Sequence, residues 1–182
     1  MRNSGPETPD PIRGAGVPTP SHASAMTDPF WRRPLSSLTQ TEWESLCDGC
    51  GRCCLVKLED EDTAQVLYTD VACTLYDSGA CRCGNYPERQ SRVPDCVKLT
   101  PAAVEEISWL PPTCAYRIVA DGGDLPWWHH LVSGSRDTVH EVGVGVRGRI
   151  AASEDDVAVE DLPDHIVSWP NRWPKRAKRR PG

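Results

Sequence analysis

Eight of the chain's nine cysteines fall between positions 47 and 96: Cys47, Cys50, Cys53, Cys54, Cys73, Cys81, Cys83 and Cys96, with Cys114 standing apart. The first four belong to the string Cys47-Asp48-Gly49-Cys50-Gly51-Arg52-Cys53-Cys54. Two residues between cysteines allow a tight turn that directs both thiolates at one ion. Gly49 and Gly51 suit such turns, because glycine accepts positive φ at little steric cost. Thiolates suit zinc and iron–sulfur chemistry alike, so ligand softness does not choose between them. Eight thiolates are enough for two closed four-cysteine zinc sites, and neighbouring side chains such as Cys53 and Cys54, which tend to point apart, could serve different ones. The alternative is an iron–sulfur cluster on Cys47, Cys50 and Cys53 with a remote fourth cysteine. The ferredoxin run C-x2-C-x2-C-x3-C-P loses its ending here, so a ferredoxin-type fold is not supported.

Other chemistry is weaker. A disulfide framework would need an oxidising compartment, and an odd number of cysteines fits it poorly. A thiol switch could cycle Cys47 with Cys50 or Cys81 with Cys83, although the βαβ setting of thioredoxin-like C-x-x-C motifs is missing. His129 follows Trp127-Trp128 and could complete a three-cysteine, one-histidine site, but it reads first as a packing residue. The run Glu59-Asp60-Glu61-Asp62 lacks the spacing of a calcium loop and reads as a solvated turn. No nucleophile elbow, phosphate loop or HExxH occurs, so no catalytic residue is assigned.

Composition sets the frame. The chain has 182 residues, 38% of them hydrophobic, with a single Phe, which points to a modest core in need of staples. Six basic residues lie within 171–182, so the remainder carries 14 basic against 26 acidic residues, a net of −12. An acidic body argues against a nucleic-acid face there and leaves only the basic tail for one. No apolar run reaches membrane-spanning length and no secretion signal opens the chain, so the expected compartment is the cytoplasm. Thiols are kept reduced there and are free to bind metal.

The elements that must carry these residues are short. Residues 1–25, rich in Pro, Gly, Ser and Thr, read as a disordered extension, with Met26 as an alternative start. A cysteine-cluster domain follows over 26–168, and 169–182 reads as a basic flexible tail. A helix is expected over 40–46, capped by Thr41 and Glu44 or by Thr39 and Glu42, with Trp43 and Leu46 inward. Strands are expected over 54–58 and 66–73, and a helix from Pro101 to about Ile107, capped by Thr100. Thr113 is expected to cap a helix running to Ala120, and the alternating Val142, Val144 and Val146 suggest a strand to about Ile150.

The string Glu42-Trp43-Glu44-Ser45-Leu46-Cys47 through Cys54 resembles the YcgN family of uncharacterised bacterial cysteine-cluster proteins. Further matching segments are Glu61-Asp62-Thr63, Val71-Ala72-Cys73, Cys81-Arg82-Cys83, Pro94-Asp95-Cys96, Trp109-Leu110-Pro111 and Thr113-Cys114-Ala115-Tyr116-Arg117. The wider CxxCxxCC group is described as zinc- or iron-chelating. The resemblance therefore implies a metal partner and supports the eight clustered cysteines as ligands, with Cys114 either a ninth ligand or, as favoured here, a buried thiol. It supplies no reaction, although a related cysteine cluster in flagellin lysine methylase keeps an enzyme conceivable. The combined expectation is a small, loop-rich, metal-stapled α+β single domain that binds zinc or an iron–sulfur cluster. A metalloenzyme with an open coordination position and a thiol redox switch are the alternatives.

Overall fold

Thr39 opens the first helix of the computed structural model, which describes residues 28–178. The Thr39 hydroxyl accepts from Glu42 N, and the Glu42 carboxylate accepts from Thr39 N, so a capping box starts α1 (Gln40–Ser45). This is the second of the two cap registers that the sequence offers. The first is closed to Glu44, whose carboxylate accepts from Gln40 and from the Tyr86 hydroxyl. Trp43 and Leu46 face inward as expected.

The cysteine string leaves α1 and passes through one 3-10 turn (Arg52–Cys54) into β1 (Leu55–Glu59), which pairs antiparallel with β2 (Val66–Ala72). The acidic residues between them form an exposed turn, in which the Asp60 carboxylate accepts from Thr63 N and Oγ. The pairing is irregular between Leu55 and Lys57, and such a bulge re-aims the side chains beside it. A two-stranded ribbon follows, β3 (Tyr76–Asp77) with β4 (Arg82–Cys83). Next come α2 (Arg89–Arg92), α3 (Pro101–Glu106), α4 (Ala115–Ala120), α5 (His130–Ser133) and α6 (Thr138–Glu141). Strands β5 (Ala152–Ser153) and β6 (Ile166–Val167) both pair with β2, parallel and antiparallel respectively, so β2 lies at the centre of a four-stranded sheet. The domain is mixed α+β, built from short elements. Among the described residues no helix is long and apolar enough to cross a membrane.

Three small apolar clusters take the place of one large core. Trp43, Leu46, Val104, Leu110, Tyr116 and Val119 join α1, α3 and α4. Trp128, Val139, Val142 and Val144 pack with Cys50 and Ala177, and Leu55, Tyr68 and Val146 pack under the sheet.

Three local expectations are corrected. Thr113 does not cap α4; Cys114 stands at that position, and the fully buried Thr113 hydroxyl accepts instead from the Arg52 guanidinium at 2.8 Å. Residues 142–150 are not a strand. Val142, Val144 and Val146 are all buried, while Gly143 and Gly148 turn the chain at φ 79° and 72°. Their backbone bonds run to other partners, as in Val144 N to Val139 O and Val146 N to Cys50 O. Part of the expected tail also packs on the body: Pro170 and Ala177 are buried, and Trp173 meets Trp128 edge-on at 5.3 Å. The extension 1–25, Met26 and the last four residues lie outside the described residues.

The two glycines of the cysteine string make a paired test. Both sit at positive φ, but a Cβ on Gly51 would lie 2.7 Å from the Tyr76 hydroxyl and the Val146 side chain, whereas one on Gly49 meets nothing. In urea unfolding, Gly49→Ala should lose only the left-handed strain, about 1–2 kcal/mol. Gly51→Ala should lose roughly 1–3 kcal/mol more from overpacking. Equal losses would contradict the crowding at Gly51.

Candidate metal centre

Seven cysteines line one cavity of about 710 Å³: Cys47, Cys53, Cys54, Cys73, Cys81, Cys83 and Cys96. They arrive from the cysteine string, the end of β2, the β3–β4 ribbon and the loop after α2. Cys50 is buried outside this cavity against Trp128, and Cys114, at the start of α4, is half-buried against the helical cluster. All nine cysteines are free thiols.

Pairing in the sheet brings Cys54 and Cys73 together. Leu55 stands opposite Ala72, and Cys73 N donates to Cys54 O at 2.8 Å, so the two cysteines face each other one step beyond the ladder. Facing residues on antiparallel strands have Cβ atoms roughly 4.5–5.5 Å apart. Cys53 and Cys54, expected to point apart, instead hold their sulfurs 4.0 Å from each other. Two sulfurs on one tetrahedral zinc, at about 2.3 Å from the ion, lie roughly 3.8 Å apart. The adjacent pair is therefore spaced for one ion rather than two. Among the described residues, however, no three Cys, His, Asp or Glu side chains close around a single point. The donor set fits a soft thiophilic metal in kind and in number, and closing around it requires side-chain rotation within the cavity.

The thiols are mostly held protonated. Burial pushes Cys50 and Cys47 up, helped by the Asp48 charge, and pushes Cys114 up to about 12. Burial also raises Cys73 and Cys96, the latter offset by Arg89. Cys53 goes the other way: the hydrogen bond from Cys54 and the Lys57 charge favour its thiolate, while Cys54 is raised by the same contact. A metal that takes these ligands must displace their protons, so its affinity rises with pH.

Cys81 differs from the rest. Its backbone has φ 53°, and its sulfur accepts from Arg147 Nε at 3.3 Å. That guanidinium is itself anchored by two bonds of 3.0 Å to Asp137. His129 is fully buried; Nε2 donates to Leu46 O at 3.0 Å, and Nδ1 accepts from Leu131 N. Both ring nitrogens are used, so the packing role outweighs the ligand role.

Two functional positions were not legible from residue type. Arg52, fully buried, donates to Val144 O, Pro170 O, Arg172 O and the Thr113 hydroxyl. Lys57 donates to Cys53 O and Leu55 O and lies over the Trp109 and Tyr68 rings, at 4.5 and 5.3 Å. The only available signal was their position inside and just after the cysteine string.

A family model described as "CxxCxxCC: Putative zinc- or iron-chelating domain" matches residues 46–115. A UPF0260 protein of Rhodopseudomonas palustris (strain TIE-1) is 61% identical over 150 residues, covering 82% of this chain and 88% of the relative. The chain belongs to the UPF0260 family. Other UPF0260 proteins are similar over most of their length: one of Sinorhizobium fredii at 59% over 143 residues (78% of this chain, 92% of the relative) and one of Granulibacter bethesdensis at 57% over 154 (84% and 90%). No solved structure matches the chain. The matched span begins at Leu46 and ends at Ala115, so it takes in all nine cysteines, Cys114 included.

Two measurements check this description. Arg52→Met leaves three carbonyls and the Thr113 hydroxyl without their donor. At roughly 1–3 kcal/mol for each unmet buried acceptor, the loss in urea unfolding should exceed about 3 kcal/mol. His130 is the second. Burial, with His129 and Arg136 nearby, lowers it from 6.5 to about 4. The native state then binds fewer protons than the unfolded state, so stability present above pH 6.5 is lost as pH falls toward 4. His130→Gln should flatten that slope; an unchanged slope would show that His130 is not its source.

Proposed function

We propose that this UPF0260 chain is a cytoplasmic metal-binding protein that holds zinc or an iron–sulfur cluster through thiolates drawn from Cys47, Cys50, Cys53, Cys54, Cys73, Cys81, Cys83 and Cys96. The observation that carries the reading is the single cavity lined by seven thiols from four separate stretches of chain. Apolar packing alone gives no reason to concentrate so many thiols on one wall, whereas metal chemistry does. The zinc- or iron-chelating description of the matching family model supports it.

The centre's role in this reading is structural or electron-transferring. Zinc would tie the cysteine string, the end of β2 and the β3–β4 ribbon together; an iron–sulfur cluster would add one-electron chemistry at the same place. The chain's own residues set the site's character: Lys57 places a positive charge on its wall, and Trp109 and Tyr116 supply apolar faces. A metalloenzyme is the second reading, favoured by the cavity's size. About 710 Å³ is the scale of a small-molecule pocket and far exceeds one ion.

The test is elemental analysis and a visible spectrum of the full chain purified without oxygen. Stoichiometric zinc with no visible absorption, or iron with a broad band near ~400 nm from thiolate-to-iron charge transfer, agrees with the proposal. A chain with neither metal that keeps its fold in strong chelator refutes it.

A further inference from the structure

Three strand ends meet at one level of the cavity wall. In the parallel ladder Val71 pairs with Ala152 and Ala72 with Ser153, so the next step sets Cys73 beside Glu154. On the other side of β2 the antiparallel ladder sets Cys73 opposite Cys54, with Cys73 N donating to Cys54 O at 2.8 Å. Side chains in register on neighbouring strands share a face, and the strands lie roughly 4.8 Å apart. Cys54, Cys73 and Glu154 all line the cavity.

Glu154 is anchored there by a bond that uses one of its two oxygens. It opens the 3-10 turn Glu154–Asp156, and its Oε1 accepts from Thr74 N, the amide directly after Cys73, at 2.7 Å. Among the described residues Oε2 accepts no hydrogen bond, and no Lys, Arg or His nitrogen lies within 4.0 Å of the carboxylate. Asp155 is the matched contrast. Its Oδ2 accepts from the Thr74 hydroxyl at 2.5 Å, but it is exposed and does not line the cavity. Two carboxylates therefore clamp the same residue, and only one of them belongs to the thiol wall. Capping a strand end takes one acceptor oxygen and no charge. A half-buried carboxylate among thiols repels any thiolate formed beside it, which costs free energy unless a cation joins the two.

We propose that Glu154 is an oxygen ligand of the metal centre, bound to the same ion as Cys54 and Cys73. The assignment rests on the chelation reading above and adds a ligand of another kind to it. Zinc takes carboxylate oxygen at about 2.0–2.2 Å alongside thiolate sulfur at about 2.3 Å. With Cys53, whose sulfur lies 4.0 Å from that of Cys54, the set reaches the four ligands of a tetrahedral ion. Backbone pairing fixes where Cys54, Cys73 and Glu154 leave the sheet, and sites built on strands are held more precisely than sites on loops. The cysteine spacing gives no hint of this residue, because it enters 58 positions after the last cysteine of the clustered eight, Cys96.

The experiment uses the full chain, with far-ultraviolet circular dichroism as a check of fold. X-ray absorption of the metal-loaded natural chain should show one oxygen-range neighbour at about 2.0–2.2 Å beside sulfurs at about 2.3 Å. Zinc titrated against a competing chelator should bind Glu154→Gln more than about 100-fold more weakly, beyond the 10–100-fold typical of a group that only supports a ligand. Asp155→Asn, which removes the same charge from the same turn, should stay within a few-fold of the natural chain. Glutamine keeps an acceptor for the Thr74 amide; should that variant still lose its fold, the natural chain's metal shell decides by itself. An all-sulfur shell, or Glu154→Gln binding as tightly as Asp155→Asn, overturns the assignment and leaves chelation by cysteine intact. A natural chain that takes up neither zinc nor iron overturns both.

Discussion

The buried guanidinium of Arg52 is the contact on which the arrangement of the cysteine string depends. It sits between Cys50 and Cys53, has no exposed surface, and uses Nε and Nη1 to bond the 142–150 loop, the turn before Cys114, and the chain after β6, while Nη2 is buried without a hydrogen-bond partner. Among the described residues none of its partners is a carboxylate. It is a charge solvated by backbone dipoles, an arrangement that works only if each of those backbone segments is in place. A planar fork of five fixed donors can bind several acceptors in different directions at once, which a lysine cannot. The string, the α4 start and the C-terminal segment are thereby set relative to one another before any thiol is used.

The sequence made some of this legible and hid the rest for identifiable reasons. The helix at Gln40, the strands on either side of the acidic turn and the Thr100–Pro101 helix start depend on local rules, and local rules read well from sequence. Thr113 satisfies the same capping rule yet serves Arg52, 61 residues away, because a buried charge outbids a helix end for a hydroxyl. The Val142–Val146 alternation looks like a strand, but each valine drops into a core while Gly143 between them and Gly148 after them turn the chain; period two alone cannot distinguish the two cases. His129 beside His130 looks like a ligand pair by type, and only the distant Leu46 carbonyl reveals that its nitrogens are already used. Of the site, the cysteines were legible and their grouping was not. Adjacent side chains diverge in a regular strand, but Cys53 and Cys54 sit in a 3-10 turn, which holds their sulfurs 4.0 Å apart.

Family membership and structure speak to different parts of the problem. The matching family model marks the span that holds the cysteines and describes it as zinc- or iron-chelating, without distinguishing one thiol from another. The structure distinguishes them by what surrounds each one: a guanidinium at Cys81, apolar packing at Cys50, the helical cluster beside a half-buried Cys114, and an ammonium bonded to the Cys53 carbonyl. Residue type alone gives nine equivalent candidates, and it is the fixed charges around them that make them unequal.

A core divided into three small clusters sets what a bound metal would contribute to such a chain. None of the three is large, and the cysteine string borders more than one: Cys50 packs in the Trp128 cluster, Leu55 immediately follows the string in the sheet cluster, and Leu46 immediately precedes it in the helical cluster. A thiolate centre in the cavity, which residues of the helical and sheet clusters line, would add a link between those two clusters. Because the ligands come from stretches far apart in sequence, an unfolded chain would bind the metal weakly, and the difference in binding free energy would appear as stability. The raised thiols add a condition. A folded chain without metal carries its cysteines largely neutral, which is tolerable in a partly apolar cavity, and the negative charge develops only when a divalent ion arrives to balance it. Burial lowers the Lys57 ammonium from its ordinary range, and thiolates forming at Cys53 and Cys54 would raise it again.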